Sequence, residues 1–175
     1  MSHDQLWAAW RADYVSTVIE DGQPDEGCVL CALAADHETA EVVHRRERVV
    51  AVLNRYPYVN GHLMVMPVRH VATLDELDDD ESAELWAEVE QAVEAITTAY
   101  EPGGVNVGIN MGPAAGAGIP GHLHVHALPR WRGDTNFMTT VGGVRVIPEG
   151  PEATSAKVRD AWPTGVRSWG SGAPR

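Results

Sequence analysis

The sequence has few basic residues and no long apolar run. Thirteen Lys and Arg stand against 25 Asp and Glu, for a formal net charge of −12. This balance excludes a protein that holds nucleic acid through a broad basic surface. No apolar stretch is long enough to span a bilayer, and the first ten residues lack the basic and apolar regions of a signal peptide. We therefore expect a soluble, cytoplasmic protein that binds neither nucleic acid nor membrane.

Cysteine is also scarce. The only two cysteines, Cys28 and Cys31, lie three positions apart, which is a poor framework for the disulfides of a small secreted protein. Their spacing favours a metal site or a redox pair, and a buried pair without chemistry is the third alternative.

The length and composition predict one globular domain. The chain has 175 residues, of which 44% are hydrophobic and 22% charged, as in proteins with a packed core. We assign residues 1–162 to a single domain with its core at about 28–147. The tail 163–175, rich in Gly, Ser, Pro and Arg, is expected to be flexible.

The apolar pattern predicts an α+β fold with a mainly antiparallel sheet. A helix is expected over 79–100, where apolar residues recur at helical spacing and acidic residues crowd the first turn. Two β-branched, apolar segments, 41–44 and 49–53, flank a charged turn at 45–48 and predict a hairpin. Further strands are expected at 62–66, 105–110, 122–128 and 138–147.

One acidic run covers most of the predicted helix. The segment from Asp75 to Glu94 holds ten acidic residues and no basic one. We interpret it as a solvated helix face, with an acidic recognition patch as the alternative.

Three histidines alternate with aliphatic residues in the segment 121–128. In a strand, the side chains of His122, His124 and His126 would project from one face and the residues between them would enter the core. Imidazole is neutral and nucleophilic near pH 7, so one ring can attack phosphorus while another binds phosphoryl oxygens. Backbone N–H groups of the glycine-rich loop 112–121 would add fixed donors. Surface histidines on an exposed strand are the alternative.

The sequence around these histidines resembles the histidine-triad (HIT) superfamily. The resemblance rests on 110–116 and 122–130, and upstream on 53–57 and 61–67; it covers about 28–147. The flanking segments 6–11 and 129–137 are similar to the bacterial diadenosine tetraphosphate phosphorylase-like branch. A HIT-like fold is therefore expected.

The resemblance implies roles for individual residues. His124 would be the nucleophile that takes a nucleotidyl group from the α-phosphate of an adenine nucleotide, and His126 would contact the phosphate oxygens. Asn54 matches a residue that binds ribose hydroxyls. The other nucleotide-binding positions implied are His62, Asn110, Gly116 and Gly118. For Asn54 a plain turn role, and for His62 simple packing, are the alternatives.

One position departs from the family pattern. Many relatives carry Gln four residues before the first histidine, where this chain has Gly118 in a loop one residue longer. We hypothesise that backbone N–H groups of residues 116–118 replace that amide.

A metal-binding branch of the family implies a structural zinc site. Its four positions correspond here to Cys28, Cys31, His70 and His122, a closed set of two thiolates and two imidazoles. A thioredoxin-like redox pair remains an alternative, and no organic cofactor is expected. Family members are commonly dimers, so the resemblance also implies a homodimer.

These expectations combine into an enzyme that cleaves diadenosine polyphosphates, by phosphorolysis or hydrolysis, through a nucleotidyl-histidine. The alternatives are a nucleoside phosphoramidase, a uridylyltransferase-like exchange and a nucleotide-binding regulator without turnover. His126 counts against the exchange, since such relatives usually carry Gln there, and the intact His124 counts against the regulator. For Trp131 and residues 134–137, packing near the site is the default expectation.

Overall fold

The structure, a computed structural model, describes residues 27–36, 39–134 and 148–165. In this part of the chain, five strands form one sheet in the order β1-β2-β3-β5-β4, and every neighbouring pair is antiparallel. The α+β class and the antiparallel sheet are therefore confirmed. The strands are β1 Val42–Arg45, β2 Val49–Leu53, β3 Leu63–Pro67, β4 Gly104–Ile109 and β5 Val125–Arg130.

The long helix α2, Asp79–Tyr100, has the bounds that the sequence predicts. Its first turn is closed by a capping box, in which the Asp78 side chain accepts from the Glu81 N–H and the Glu81 side chain accepts from the Asp78 N–H. Its last turn ends at Glu101, which adopts a left-handed conformation with φ 42°. Local capping and apolar spacing agree here, which is why the prediction succeeds to the residue.

The two faces of the sheet have different covers. Alternate residues of β2 and β3 belong to two buried clusters, one shared with α2 and the other with a short helix, α1 Val29–Ala35. The α2 cluster also includes Val158 of a third helix, α3 Pro151–Asp160. All ten residues of β2 and β3 are buried, as expected for central strands covered on both faces.

The histidine strand begins later than predicted. We expected a strand over 122–128, but β5 starts at Val125, and His122 and Leu123 precede the ladder. The Leu123 N–H donates to the carbonyl oxygen of Val71 at 2.6 Å. The backbone before β5 is thus held by a loop instead of a neighbouring strand.

The interpretation of the acidic run as a solvated face is wrong for three of its carboxylates. Glu88 is fully buried, and contacts the Arg46 guanidinium and the His44 ring. Glu81 accepts two hydrogen bonds from Arg69, which lower the pKa of Glu81 to about 2. Glu84 accepts the backbone N–H of Arg48. Basic residues next to the sheet therefore neutralise part of the negative charge of the helix.

Helices α1 and α3 were not predicted from the sequence. Pro151 in the first turn of α3, with Lys157 and Arg159 in its last turn, is a pattern typical of helix ends that could have indicated it. Two short 3₁₀ turns, Leu74–Glu76 and Pro113–Ala115, complete the described elements. The predicted strand 138–147, the N-terminal segment 6–11 and the tail beyond 165 lie outside the described residues. None of the helices in the described ranges is both long and apolar enough to cross a membrane.

Candidate active site and metal centre

The three histidines lie at the α1 side of the sheet. Leu123, Val125 and Ala127 are buried in the α2 cluster, so the predicted alternation is confirmed. His126 pairs in register with Met64 of β3, whose side chain belongs to the α1 cluster. The histidine side chains consequently leave the α2 core and gather on the opposite face.

In the His124 ring, Nδ1 is used in a hydrogen bond, and Nε2 is the nitrogen that can act as an acceptor or nucleophile. Its Nδ1 lies 2.7 Å from the carbonyl oxygen of His122, and because a carbonyl oxygen only accepts, Nδ1 carries the proton. In the neutral ring, Nε2 therefore has the lone pair. The side chain is only 4% exposed, and this burial lowers the pKa of His124 below its usual 6.5. The arrangement keeps Nε2 unprotonated and nucleophilic at neutral pH.

A relay of hydrogen bonds places the proton of His126 on Nε2, the opposite of the arrangement in His124. The Tyr58 backbone N–H donates to His62 Nδ1 at 3.2 Å, so the proton of His62 is on Nε2. His62 Nε2 lies 2.9 Å from His126 Nδ1, which must then accept. His126 is left with its proton on Nε2, and its ring centroid is 4.8 Å from that of His124. A hydrogen-bond donor on His126 thus lies beside a ring, that of His124, whose Nε2 has the lone pair.

His126 is held neutral by its surroundings. Burial, and secondarily the neighbouring His124, lower the pKa of His126 from 6.5 to about 4. Because the folded-state pKa is depressed, the stability linked to this ring is present above pH 6.5 and is lost as the pH falls toward 4. We predict that ¹⁵N spectra of histidine-labelled protein show the neutral Nε2–H form of His126 down to about pH 5. A midpoint near 6.5, or an Nδ1–H form, would contradict the relay.

Asn54 lies in the same cluster. Its Oδ1 accepts the Tyr56 N–H at 2.9 Å, closing a turn, and its Nδ2 lies 3.3 Å from His62 Nδ1. The turn alternative thus describes an observed contact, while the ribose role remains a prediction. One lone pair of Oδ1 would still be available to a hydroxyl.

The loop before the histidines holds three of the predicted nucleotide-binding residues, and their surroundings differ. Asn110 directly follows Ile109, the last residue of β4. Ile109 pairs with Val125, and His124 directly precedes Val125. Gly116 has φ +81°, and its N–H donates to the Pro113 carbonyl oxygen at 3.0 Å. This bond inside the 3₁₀ turn counts against the Gly116 N–H as a phosphate donor, and the nucleotide-binding role of Gly116 stays a prediction. Half-buried Gly118 keeps its role as a prediction.

The segment after β5 makes packing contacts. Trp131 lies edge-on to Tyr100, with ring centroids 6.2 Å apart, and Asp134 pairs with Arg130. Residues 135–137 lie outside the described part of the chain. Trp131 is therefore held by ring packing and Asp134 by an ion pair, and the expected packing of this segment near the site stays a prediction.

The four predicted metal ligands converge. One donor atom from each of Cys28, Cys31, His70 and His122 lies within 4.8 Å of all the others, and no disulfide joins the two cysteines. His122 Nε2 lies 2.9 Å from the Pro67 carbonyl oxygen, so the proton is on Nε2 and the lone pair is on Nδ1. That nitrogen points at both sulfurs, at 3.4 Å. The set fits a four-coordinate thiolate and imidazole site.

His122 joins the two centres. Its Nδ1 faces the cysteines, and its carbonyl oxygen accepts from His124 Nδ1. The backbone carbonyl of His122, a residue of the Cys/His cluster, therefore orients the His124 ring.

Sequence reasoning missed two contributors to the site. Tyr58 donates its backbone N–H to His62 and places its ring against that imidazole, and the Pro67 carbonyl fixes the tautomer of His122. Backbone groups carry no residue signature, so the sequence had no signal for these hydrogen bonds. The Tyr58 ring in a turn beside His62 was the one visible hint.

Comparison with known proteins identifies relatives of this arrangement. The HIT domain matches residues 36–133. A protein of Mycobacterium tuberculosis named AP-4-A phosphorylase is 42% identical over 150 residues, which cover 83% of this chain and 77% of that protein. The bis(5'-nucleosyl)-tetraphosphatase (asymmetrical) of Schizosaccharomyces pombe is 33% identical over 95 residues, covering 54% of this chain and 52% of that one.

The fold also has solved counterparts. A zinc-bound histidine triad family protein from Mycobacterium smegmatis superposes with a TM-score of 0.65 at 26% identity, covering 79% of this chain and 94% of that chain.

Proposed function

Because the chain belongs to the HIT domain family, we propose that it cleaves diadenosine polyphosphates through a nucleotidyl group carried on His124. It is a nucleotide-processing enzyme, in keeping with the phosphorylase and tetraphosphatase that it resembles. The observation that carries the proposal is that His124, whose Nε2 has the lone pair, lies next to His126, whose Nε2 carries the proton, with ring centroids 4.8 Å apart.

In the first step, the His124 Nε2 lone pair attacks the α-phosphorus. A bond forms between Nε2 and phosphorus, and the bond from phosphorus to the bridging oxygen breaks. The leaving polyphosphate takes the electron pair of that bond. His126 donates its Nε2–H to a phosphoryl oxygen where negative charge develops, and the His122 carbonyl stabilises the His124 ring through Nδ1–H as the ring becomes cationic.

In the second step, an acceptor oxygen attacks the same phosphorus and Nε2 leaves with its bonding pair. Inorganic phosphate as acceptor gives a nucleoside diphosphate, and water gives a monophosphate. We propose phosphorolysis, since the relative that is 42% identical is named as a phosphorylase.

Product analysis with diadenosine tetraphosphate tests this proposal. Phosphorolysis predicts ADP and ATP only when inorganic phosphate is present. AMP and ATP without phosphate would show hydrolysis instead. No release of nucleotide from this substrate or from adenosine phosphoramidate would reject the enzymatic function.

We also propose that zinc occupies the cluster of Cys28, Cys31, His70 and His122. A bound metal would supply a structural cross-link between α1 and the loop before β5, because all four protein ligands are used and no open coordination position remains. The support is the donor set and the zinc-bound neighbour of the same fold.

A homodimer built on β4 and α2 is the expected assembly. Among the described strands, β4 lies at one edge of the sheet, and its Val107 is 45% exposed. Val107 lines a shallow groove together with residues of α2, namely Val89, Val93, Glu90, Glu94, Thr97 and Thr98. An exposed edge with apolar side chains is suited to pairing with a second copy. Sedimentation equilibrium should give twice the chain mass, and Val107→Lys should give the monomer; a monomeric wild type would reject the assembly.

The single domain at 1–162 and the cytoplasmic location stay predictions from the sequence.

A further inference from the structure

An aromatic side chain of the turn between β2 and β3 lies beside the proposed phosphate site. The Tyr58 ring centroid is 4.7 Å from that of His62 and 6.2 Å from that of His126, with tilts of 35° and 37°. The residue is nevertheless 40% exposed. Tyr58 therefore lies against His62, which is only 1% exposed, while Tyr58 itself is accessible from solvent and so from a ligand.

The turn that presents this ring is held at both ends. Asn54 closes its beginning through the Tyr56 N–H. At its end, Gly61 has φ +75°, and a Cβ added there would lie 2.7 Å from a ring carbon of Tyr100. The Tyr58 N–H is itself bonded to His62. A ring on such a turn is positioned before any ligand arrives, which lowers the entropy cost of binding to it.

Exposure increases along the row from the nucleophile outward. His124 is 4% exposed, His126 is half-buried and Tyr58 is 40% exposed. In an in-line displacement the leaving oxygen departs on the side of phosphorus opposite the attacking nitrogen. The leaving group therefore points away from buried His124, toward the open side of the site where His126 and Tyr58 lie.

We propose that Tyr58 is a specificity-determining residue whose ring stacks on the base of the leaving nucleotide. The inference rests on the proposed function and adds what that function leaves open, namely how the enzyme distinguishes a dinucleotide from a mononucleotide with the same phosphate chain. An aromatic face fits a nucleobase, because each base has an extended π surface.

Two substrates separate this contact from the chemistry. Diadenosine tetraphosphate and adenosine tetraphosphate share one adenosine and the phosphate chain, and only the first has a second base. The wild type should prefer the dinucleotide in kcat/KM. Tyr58→Ala should reduce that preference roughly tenfold, as expected for one lost base stack. The loss should appear mainly in KM for the dinucleotide, since the stack is present before and during the reaction.

Matched variants identify the ring as the cause. Tyr58→Phe should keep the preference, because the face remains. Tyr56→Ala is the control, because Tyr56 lies two residues away on the same turn, is 67% exposed, and contributes its backbone N–H, which alanine retains; it should leave both substrates unchanged.

Each result decides the proposal. An equal fall of kcat/KM on both substrates in Tyr58→Ala would show that the ring only supports the histidines. No change in Tyr58→Ala, or the same change in Tyr56→Ala, would show that the Tyr58 ring does not determine the preference. Each of these three results overturns the inference while the proposed function stands. If the wild type releases no nucleotide from either substrate, the proposed function fails and the inference fails with it.

Discussion

His124→Ala is expected to lower kcat for diadenosine tetraphosphate cleavage by about 10⁴-fold or more, because no other nitrogen would be placed to form the covalent intermediate. The available Nε2 of His124 is defined by its Nδ1 bond to the His122 carbonyl. The measurement is initial-rate assay of released ADP and ATP in phosphate buffer.

The control for this prediction is His126→Ala. It removes a donor but leaves the nucleophile, so the expected loss is smaller, about 10²- to 10³-fold. Both variants should keep the metal content and thermal midpoint of the wild type within a few degrees. Residual activity in His124→Ala equal to that in His126→Ala would contradict the assignment of the nucleophile.

Loss of the Cys28 and Cys31 thiols is expected to have the largest effect on stability. The double substitution Cys28→Ala with Cys31→Ala should abolish zinc binding and lower the free energy of unfolding by on the order of 5 kcal/mol, because structural zinc contributes directly to folding. The measurements are metal content of the purified protein and urea unfolding at fixed zinc concentration.

Val29→Ala is the matched control for the thiols. Val29 is 52% exposed and lies between the cysteines on α1, so its truncation should change neither quantity appreciably. A wild type that binds no zinc, or a chelated protein as stable as the loaded one, would reject the metal centre. A disulfide between the thiols in freshly purified protein would instead favour the redox alternative.

The parts of the fold that depend on local pattern were predictable. Helix α2 has its capping box and its apolar spacing within one segment, and the hairpin β1-β2 has its turn between two β-branched runs. The period-two histidines likewise predicted which side chains leave the core. Such features are encoded by neighbouring residues, so they can be inferred without knowing the tertiary structure.

The errors concern contacts between distant parts of the chain. Glu88 belongs to an acidic run that looks solvated, yet Arg46 and His44, more than 40 residues earlier, enclose it. The start of β5 shifted because the Val71 carbonyl, not a strand, binds Leu123. Hydrophobic period and charge density do not record which distant groups meet, so tertiary contacts decide these points.

In the candidate site, too, the features encoded by residue type were predictable and the contacts with distant backbone groups were not. The residue types of the metal set and the triad were visible in the sequence, and the structure brings each set together. The tautomers were not visible, because they depend on the backbone groups of Tyr58, Pro67 and His122. Those hydrogen bonds give three similar imidazoles different protonated nitrogens, and the roles that we propose for His122, His124 and His126 depend on this difference.

The central claim is a covalent bond between His124 and the nucleotide. The most direct measurement is rapid quenching of the enzyme with diadenosine tetraphosphate in the absence of inorganic phosphate, followed by peptide mass spectrometry under conditions that preserve phosphorus–nitrogen bonds. One adenylyl group is expected on His124, and it should disappear when phosphate is added. An adenylyl group on His126 instead, or turnover by an enzyme that is never modified, would contradict this claim.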